Sequence, residues 1–219
     1  MTHTTNQIYA RKAAGAKILF FLYDLLVLGF SNRFAWKCPT RRLLDLYDAH
    51  VSTNHLEAGA GTGYFINHCR FPAGASRLVL LDLNAYTLAE TAHRAKRYQP
   101  TAFQRNILKP LNLDGPKFDS VGFNYVLHCL PGTMETKSTV FKNLRQVMNP
   151  GAVIFGSTTL CAGVEKNFLA RIFMTAYNAM GIFHNQHDSL SGLQKQLARH
   201  FSETRVEVAG CSGLFVCKA

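Results

Sequence analysis

Residues 55–65 (HLEAGAGTGYF) place three alternating glycines between a short strand and the start of a helix. Glycine is needed where the backbone turns tightly and lets a ligand approach closely. The open amides at the start of the following helix can bind an anion. The segment therefore predicts a strand-to-helix junction that binds a ligand.

Strands and helices alternate after this junction. Further strands are predicted at 77–83, 101–107, 118–124 and 152–158, and helices at 64–69, 85–98 and 135–148. This alternation is typical of a parallel sheet that helices cover on both faces. The segments 204–208 and 214–217 are joined by a short link containing Gly210, which predicts an antiparallel hairpin at one edge of the sheet.

The residues before the junction, roughly 7–50, have helical character, and Pro39 fits the first turn of a second helix. The apolar run 18–30 is interrupted by Asp24 and is too short to span a bilayer, which takes ~20 residues. The chain starts with a polar segment that lacks the features of a signal peptide. Six dispersed cysteines without a CxxC pair indicate neither a zinc ribbon nor a redox dithiol, and reduced thiols predict a cytoplasmic location.

Composition limits the class of protein. The 219 residues are 47% hydrophobic, enough to bury the core of one large domain. Lysine and arginine number 24 against 13 acidic residues, a formal net charge of +11. This balance favours an anionic small molecule, nucleic acid or an anionic membrane surface as a partner, without choosing among them.

The glycine spacing separates two classes of cofactor. Gly59 and Gly61 match the first two glycines of the dinucleotide fingerprint GxGxxG, but Tyr64 stands where the third would be. A phosphate-binding P-loop is excluded because no Gly-Lys-Ser/Thr follows. Asp82, near the end of the next strand, can accept hydrogen bonds from both hydroxyls of a ribose and disfavours a 2′-phosphate.

Four segments in order, 57–63 (EAGAGTG), Asp82, 118–124 (FDSVGFN) and 149–157 (NPGAVIFGS), resemble the successive motifs of class I S-adenosylmethionine-dependent methyltransferases. The resemblance covers about 50–160 and is closest to small-molecule enzymes of the ubiquinone-biosynthesis and type 11/12 kind. Glu57 stands where many members carry aspartate, and the longer carboxylate can do the same work. The resemblance implies S-adenosylmethionine as cofactor and S-adenosylhomocysteine as product.

The resemblance also implies roles for individual residues. Glu57 would hold the amino group of the cofactor, directly or through water, and Asp82 would bind the ribose hydroxyls. Asn124 would face the sulfonium, and an amino-terminal lid would bring Tyr23 and Trp36 to the methionine end. The remaining cofactor contacts would come from Gly59, Ala60, Gly61, Leu83, Asn106 and Ile107.

The fold implied is a Rossmann-like, doubly wound, seven-stranded and mostly parallel α/β sheet with an antiparallel carboxyl-terminal hairpin. We expect one domain with a helical lid (1–50), a cofactor-binding core (51–160), an acceptor-side insertion (161–190) and a final helix and hairpin (191–219).

This sequence lacks the residues that are typical of several methyltransferases acting on other acceptors. The segment after the fourth strand has no prolines next to Asn124, unlike enzymes that methylate amino groups of nucleobases or glutamine, and Cys129 follows His128 rather than proline, unlike RNA cytosine-C5 enzymes. Because no carboxylate cluster stands beside strands four and five, we expect no metal. The pair His184 and His187 lacks a third strong ligand and is interpreted as part of a polar loop.

His128 is the candidate general base and Tyr125 its neighbour in the acceptor pocket, because both follow the fourth strand. A neutral imidazole can take a proton from a phenol, carboxylic acid or amine. The alternative is a histidine that only packs or positions the loop. Catalysis would then depend on alignment of the acceptor with the methyl group in a dry pocket.

The sequence thus predicts methyl transfer to oxygen, nitrogen or carbon of a small molecule. The acceptor would be anionic or aromatic, and an anionic acceptor would fit the positive net charge of the chain and could meet Arg171 and His184. RNA methylation is an alternative that the scattered basic residues do not favour. A second alternative is methylation of a lipid-like quinone at a membrane surface, through the apolar face of 18–30 with Lys12 and Lys17. A third is a non-enzymatic cofactor-binding protein. The oligomeric state is left open.

Overall fold

The computed structural model describes residues 24–74 and 77–219. In this part of the chain, seven strands form one sheet in the order β3-β2-β1-β4-β5-β7-β6. The strands are β1 (Asn54–Ala58), β2 (Arg77–Asp82), β3 (Thr101–Gln104), β4 (Phe118–Asn124), β5 (Met148–Thr159), β6 (Glu203–Ala209) and β7 (Ser212–Lys218).

A π-helical segment, Asp24–Ala35, precedes the sheet and is called the lid helix below. The α-helices are α1 (Thr40–His50), α2 (Tyr64–His68), α3 (Ala85–Arg94), α4 (Met134–Lys137), α5 (Thr139–Gln146), α6 (Phe168–Ala179) and α7 (Leu190–His200). Short 3-10 turns lie at Lys96–Tyr98 and Leu127–Cys129. No helix among the described residues combines the length and the apolar character needed to cross a membrane.

The pairing of the strands confirms the predicted sheet. Strands β1 to β5 are parallel to one another, whereas β7 is antiparallel to both β5 and β6. The strand that comes last in sequence therefore lies inside the sheet. Neighbouring β1 and β4 mark the place where the strand order reverses, and in open α/β sheets ligands bind outside the carboxyl ends of the strands at this point.

Apolar side chains cover both faces of the sheet, which explains why β2 and β4 are almost continuously apolar. On one face, Phe141 of α5 and Leu193 of α7 belong to the same buried apolar cluster as Phe123 of β4. On the other face, α1 and α2 pack through Tyr47 and Ile66. The sheet is thus held between two helical layers.

Element boundaries differ from the sequence prediction at several places, most clearly in the helix 135–148 and the strand 101–107. The predicted helix 135–148 is divided into α4 and α5 at Ser138, and Met148 instead pairs with Phe118 as the first residue of β5. The predicted strand 101–107 ends at Gln104, because Asn106 begins a turn in which its carbonyl accepts from the amide of Lys109 at 3.0 Å.

The lid helix is anchored to the segment 161–190. Asn167 Nδ2 donates to the carbonyl of Phe34 at 2.7 Å and thereby joins the start of α6 to the end of the lid helix. Pro39 lies just before α1, at its N-cap, rather than inside the first turn. The lid helix and α6 therefore form one surface beside the carboxyl ends of the strands.

Candidate active site

A cavity of about 260 Å³ opens at the carboxyl ends of β1, β2 and β4. Its wall consists of the glycine loop, the ends of β2 and β4, the turn after β3 and Leu28 of the lid helix. The cavity lies at the reversal of strand order, where the sequence predicted ligand binding.

The glycine loop follows β1 in a conformation that only glycine adopts without strain. Gly59 has φ 84°, and a Cβ atom on it would lie 2.2 Å from Cγ2 of Val126. The amides of Gly59 and Ala60 both donate to the carbonyl of Leu81, at 2.7 and 3.2 Å. The loop is therefore fixed against the end of β2, and Gly59, Ala60 and Gly61 all line the cavity.

Asp82 ends β2 and lies beside this loop. Its Oδ2 accepts from the amide of Gly61 at 3.2 Å and its Oδ1 accepts from the amide of Asn84 at 2.9 Å. The carboxylate thus has a fixed orientation at the cavity wall and keeps further acceptor capacity on each oxygen. Leu83 also lines the cavity and is 64% exposed, which leaves its side chain open to a planar ligand.

Asn106 and Ile107 reach the same cavity from the turn after β3. The Oδ1 atom of Asn106 accepts from the amide of Leu108 at 2.9 Å, so its side chain also shapes the turn. Ile107 is 7% exposed and belongs to the core as well as to the cavity wall. Arg105 lines the cavity next to them and carried no signal in the sequence.

Glu57 brings a buried carboxylate to the cavity from β1. Its Oε1 accepts from the hydroxyl of Tyr47 at 2.6 Å, and its Oε2 lies 3.2 Å from Nε2 of His55. Burial first, and then the nearby Glu57 charge, raise the pKa of Tyr47 well above its usual value, so the phenol keeps its proton and donates. Sequence reasoning missed both partners.

Asn124 ends β4 and lines the cavity, and only the oxygen of its side-chain amide has a hydrogen-bond partner among the described residues. The hydroxyl of Ser157 donates to its Oδ1. Its buried Nδ2 has no hydrogen-bond partner among the described residues. A buried amide nitrogen without an acceptor is costly.

Tyr125 also lines the cavity, in the left-handed conformation at φ 56°. Its hydroxyl donates to Oδ1 of Asn32 at 3.1 Å and lies 3.3 Å from Oγ of Ser212. The ring therefore faces the cavity wall while the hydroxyl joins the lid helix to β7. The Tyr125 hydroxyl is therefore directed away from the cavity, contrary to the expectation that it takes part in the reaction with the methyl acceptor.

His128 does not line the cavity, contrary to the expectation for a general base. Its Nδ1 accepts from the amide of Thr159 at 3.2 Å, and its ring lies 4.4 Å from that of Phe183, centroid to centroid. Burial, followed by the charge of Lys137, lowers the pKa of His128 to about 3. The 3-10 turn directs His128 into the core and leaves Cys129 on the cavity wall.

Trp36 also lies away from the cavity wall. It is 2% exposed, and its ring centroid lies 6.1 Å from that of Phe173 and 5.9 Å from that of Phe183. It fills the apolar space between the lid helix and α6. Tyr23 lies outside the described residues. Among the described residues of the lid helix, Leu28 lines the cavity.

Arg171 and His184, expected near an anionic acceptor, are exposed and do not line the cavity. In residues 24–74 and 77–219, no group of three or more His, Cys, Asp or Glu side chains is placed to hold a metal ion. His184 and His187 lie in the loop between α6 and α7, and the amide of His184 donates to the carbonyl of His128 at 2.8 Å.

Comparisons with known proteins agree with this geometry. Residues 56–154 match a family model described as a methyltransferase domain. The demethylluteothin O-methyltransferase of Streptomyces thioluteus is 37% identical over 210 residues, covering 96% of this chain and 91% of the relative. The N-methyltransferase vrtF of Penicillium aethiopicum is 38% identical over 226 residues, covering 98% and 94%.

Solved structures share the fold. The N-methyltransferase NodS from Bradyrhizobium japonicum WM9, in complex with S-adenosylhomocysteine, superposes with a TM-score of 0.58 at 18% identity, over 87% of this chain and 91% of that one. The two sequence relatives span nearly the whole chain at more than 30% identity. The chain belongs to the class I S-adenosylmethionine-dependent methyltransferases that act on small molecules.

Proposed function

We propose that this methyltransferase methylates a hydroxyl oxygen of a small aromatic or enolic acceptor, which binds at the Asn124 end of the cavity. The observation that carries the proposal is the unpartnered Nδ2 of Asn124. An amide N–H donates well to a phenolate or enolate oxygen. An amine nucleophile would need its lone pair for the attack and would turn its own N–H groups toward this donor.

The cofactor side of the proposal uses the residues that the cavity brings together. The Asp82 oxygens already accept from the amides of Gly61 and Asn84, and their remaining lone pairs accept hydrogen bonds from the ribose hydroxyls. Glu57 faces the amino group of the cofactor. When bound, S-adenosylmethionine supplies an electrophilic methyl group on a sulfonium. Other contacts come from the backbone of the glycine loop and from the side chains of Leu83, Asn106 and Ile107.

Apolar side chains dominate the acceptor side of the cavity. Leu28, Leu130 and the ring of Tyr125 line it together with the thiol of Cys129. In the transfer, the acceptor oxygen forms a bond to the methyl carbon as the carbon–sulfur bond breaks, and a neutral thioether leaves. These walls hold the acceptor oxygen in line with the breaking carbon–sulfur bond, and this alignment lowers the barrier to the transfer.

The acceptor loses its proton before the transfer, so it must be acidic enough to ionise near neutral pH. Titratable side chains of the described cavity wall are Glu57, Tyr64, Asp82, Arg105, Tyr125 and Cys129. Glu57 and Asp82 lie on the cofactor side, and desolvation raises the pKa of the Cys129 thiol to about 11. His128, with its pKa of about 3, is directed into the core. Phenols with electron-withdrawing groups and enols of conjugated carbonyls satisfy this requirement.

The experiment is a panel of phenols, enols, amines and carbon acids incubated with S-adenosylmethionine and the purified chain. We expect a gain of one methyl group in the mass spectrum of acidic phenols or enols, with the methyl on oxygen by NMR. Asp82→Ala serves as the inactive control. Methylation of amines or carbon alone, or of RNA alone, would contradict the proposal.

The proposal also includes contact with an anionic membrane surface. The lid helix exposes Leu25, Leu26, Phe30 and Phe34, and Phe168 of α6 is 75% exposed. Arg33 lies 5.8 Å from the centre of the Phe34 ring, which adds positive charge to this apolar surface. Co-sedimentation with vesicles containing anionic lipid should exceed that with neutral vesicles, and Phe30→Ser with Phe34→Ser should abolish the difference. Equal recovery of the wild-type chain with both vesicles would contradict the contact.

A further inference from the structure

Two residues outside the glycine loop hold the carboxylate of Glu57. Tyr47, on α1, donates its hydroxyl to Oε1 at 2.6 Å, and His55, on β1, lies 3.2 Å from Oε2 through Nε2. The exposed fractions are 1% for Tyr47, 0% for His55 and 3% for Glu57. Protein donors therefore engage both oxygens of this carboxylate before any ligand arrives.

The hydrogen bonds of His55 fix its tautomer. Because an ionised carboxylate only accepts, Nε2 carries the proton that points to Glu57. The Nδ1 atom lies 2.8 Å from Oγ of Ser120, so it accepts from that hydroxyl when the ring is neutral. The amide of Ser52 also donates to Ser120 Oγ at 2.9 Å, so both sides of the imidazole have a defined partner.

Packing fixes the rings in the same positions. The Tyr47 ring stacks on that of Phe65 with centroids 5.1 Å apart and meets the edge of Phe155 at 5.0 Å. The His55 ring lies 5.9 Å from the same Phe155 ring. Loss of the Tyr47 hydroxyl therefore leaves the Tyr47 ring in place, which makes its hydrogen bond to Glu57 testable apart from the packing.

Gly122 on β4 provides the space that the carboxylate occupies. It pairs with Glu57 across the parallel strands, and a Cβ atom on it would lie 2.2 Å from Oε2 of Glu57 and 3.2 Å from Nε2 of His55. Any larger residue here would move the carboxylate. Three separate elements, α1, β1 and β4, thus determine one direction for Glu57.

We propose that Tyr47 and His55 are positioning residues that aim the Glu57 carboxylate at the ammonium group of the cofactor, and that α1 thereby belongs to the cofactor site without contacting the cofactor. This inference rests on the proposed function, which places the ammonium group at Glu57. A carboxylate that is already oriented loses little entropy when a cation binds, so each donor increases affinity for the part of the ligand that carries the charge.

The test compares two ligands by calorimetry. S-adenosylhomocysteine carries the amino acid portion, whereas 5′-methylthioadenosine has the adenine, ribose and sulfur without it. Tyr47→Phe should weaken S-adenosylhomocysteine about tenfold and leave 5′-methylthioadenosine unchanged. The matched control is Tyr98→Phe, which removes a hydroxyl from a ring that packs on Phe71 away from the cavity.

A second pair of variants covers His55. His55→Gln keeps an N–H donor and should stay near wild type, whereas His55→Leu should show the same ligand-selective loss as Tyr47→Phe. Adding Tyr47→Phe to Glu57→Gln should cause little further loss, because the group that Tyr47 positions is already neutral. Thermal unfolding of each variant reports folding separately.

Equal weakening of both ligands in Tyr47→Phe would overturn the inference, since it would indicate a general distortion of the site. Unchanged affinity for both ligands would overturn it as well. Failure of the wild-type chain to bind either ligand would instead contradict the proposed function.

Discussion

The backbone amide of Gly61 donates to the Asp82 carboxylate across 3.2 Å and links the glycine loop after β1 to the end of β2. Two parts of the chain that are 21 residues apart are therefore joined at the cavity wall. A ligand that binds the loop must also meet the carboxylate, so loop and carboxylate recognise one molecule together.

Asp82→Ala should weaken S-adenosylhomocysteine binding by tenfold or more, because hydrogen bonds to a charged group contribute about 1.5–3 kcal/mol each. Titration calorimetry measures the change. Asp45→Ala is the control, since it removes a carboxylate whose partner Arg41 is likewise on the surface. Unchanged affinity in Asp82→Ala would contradict the proposal that Asp82 binds the ribose hydroxyls.

Asn124→Ala should lower kcat/KM for hydroxyl acceptors by about tenfold or more, because the bound, ionised acceptor oxygen loses a hydrogen bond of about 1.5–3 kcal/mol. Affinity for S-adenosylhomocysteine should stay within about threefold, or 0.7 kcal/mol. Ser157→Ala is an informative second variant, because it leaves the Asn124 amide in place but removes the hydroxyl that orients it. A large loss of cofactor affinity in Asn124→Ala would assign the amide to the cofactor instead.

The pH dependence of kcat/KM should be set by the pKa of the acceptor hydroxyl rather than by the pKa of a group on the enzyme. For two phenols with different pKa values, the rise of kcat/KM with pH should shift by the difference between them, because the acceptor ionises before it reacts. His128→Gln should leave this midpoint where it is and lower the rate less than about fivefold, below the usual contribution of a general base. A common midpoint for both phenols, lost in the variant, would restore His128 as the base.

His128 should make folding stability depend on pH. Its pKa is about 3 in the folded chain, where burial and Lys137 disfavour the charged form, and about 6.5 when unfolded. The unfolded state therefore binds the extra proton below pH 6.5, so stability falls as pH decreases from 6.5 toward 3. At pH 5 the loss is about 2 kcal/mol. Denaturant unfolding of wild type and His128→Gln at pH 7 and pH 5 measures it, and equal losses in both would contradict the assignment.

Lys137→Met should destabilise the chain by about 3–5 kcal/mol, because it leaves the buried carboxylate of Asp188 without its partner. Lys137 Nζ lies 2.7 Å from Asp188 Oδ2 and also donates to the carbonyl of His184 at 2.7 Å. The matched control is Lys218→Met, whose pair with Glu203 is exposed and should contribute no more than about 1 kcal/mol. A cost no greater than the control's, measured by urea unfolding, would contradict this account.

The parts of the fold that depend on local pattern were predictable. Alternating apolar strands and helices indicated the sheet, and the spacing of Gly59, Gly61 and Asp82 indicated one ligand at its carboxyl edge. The structure brings these residues to one cavity wall.

Residues whose position depends on packing were not predictable. Trp36 and His128 are directed into the core by contact with Phe183, which follows α6 and is distant from Trp36 in sequence. Tyr47 reaches Glu57 only because α1 crosses the sheet, and nothing in its local sequence marks it. His55 offered a weaker signal, since it lies two residues before Glu57 and therefore on the same side of β1.

The inner position of β7 sets the order in which the chain can fold during synthesis. Strand β5 receives its second neighbour only from residues 212–218, and Ala219 still donates to the carbonyl of Ala152 at 2.9 Å. On the ribosome, the cofactor half from β1 to β4 can assemble while one edge of β5 stays unpaired until these residues leave the exit tunnel. An unpaired strand edge can pair with another chain, so the nascent protein exposes this edge to other chains until β7 has left the exit tunnel and paired with β5.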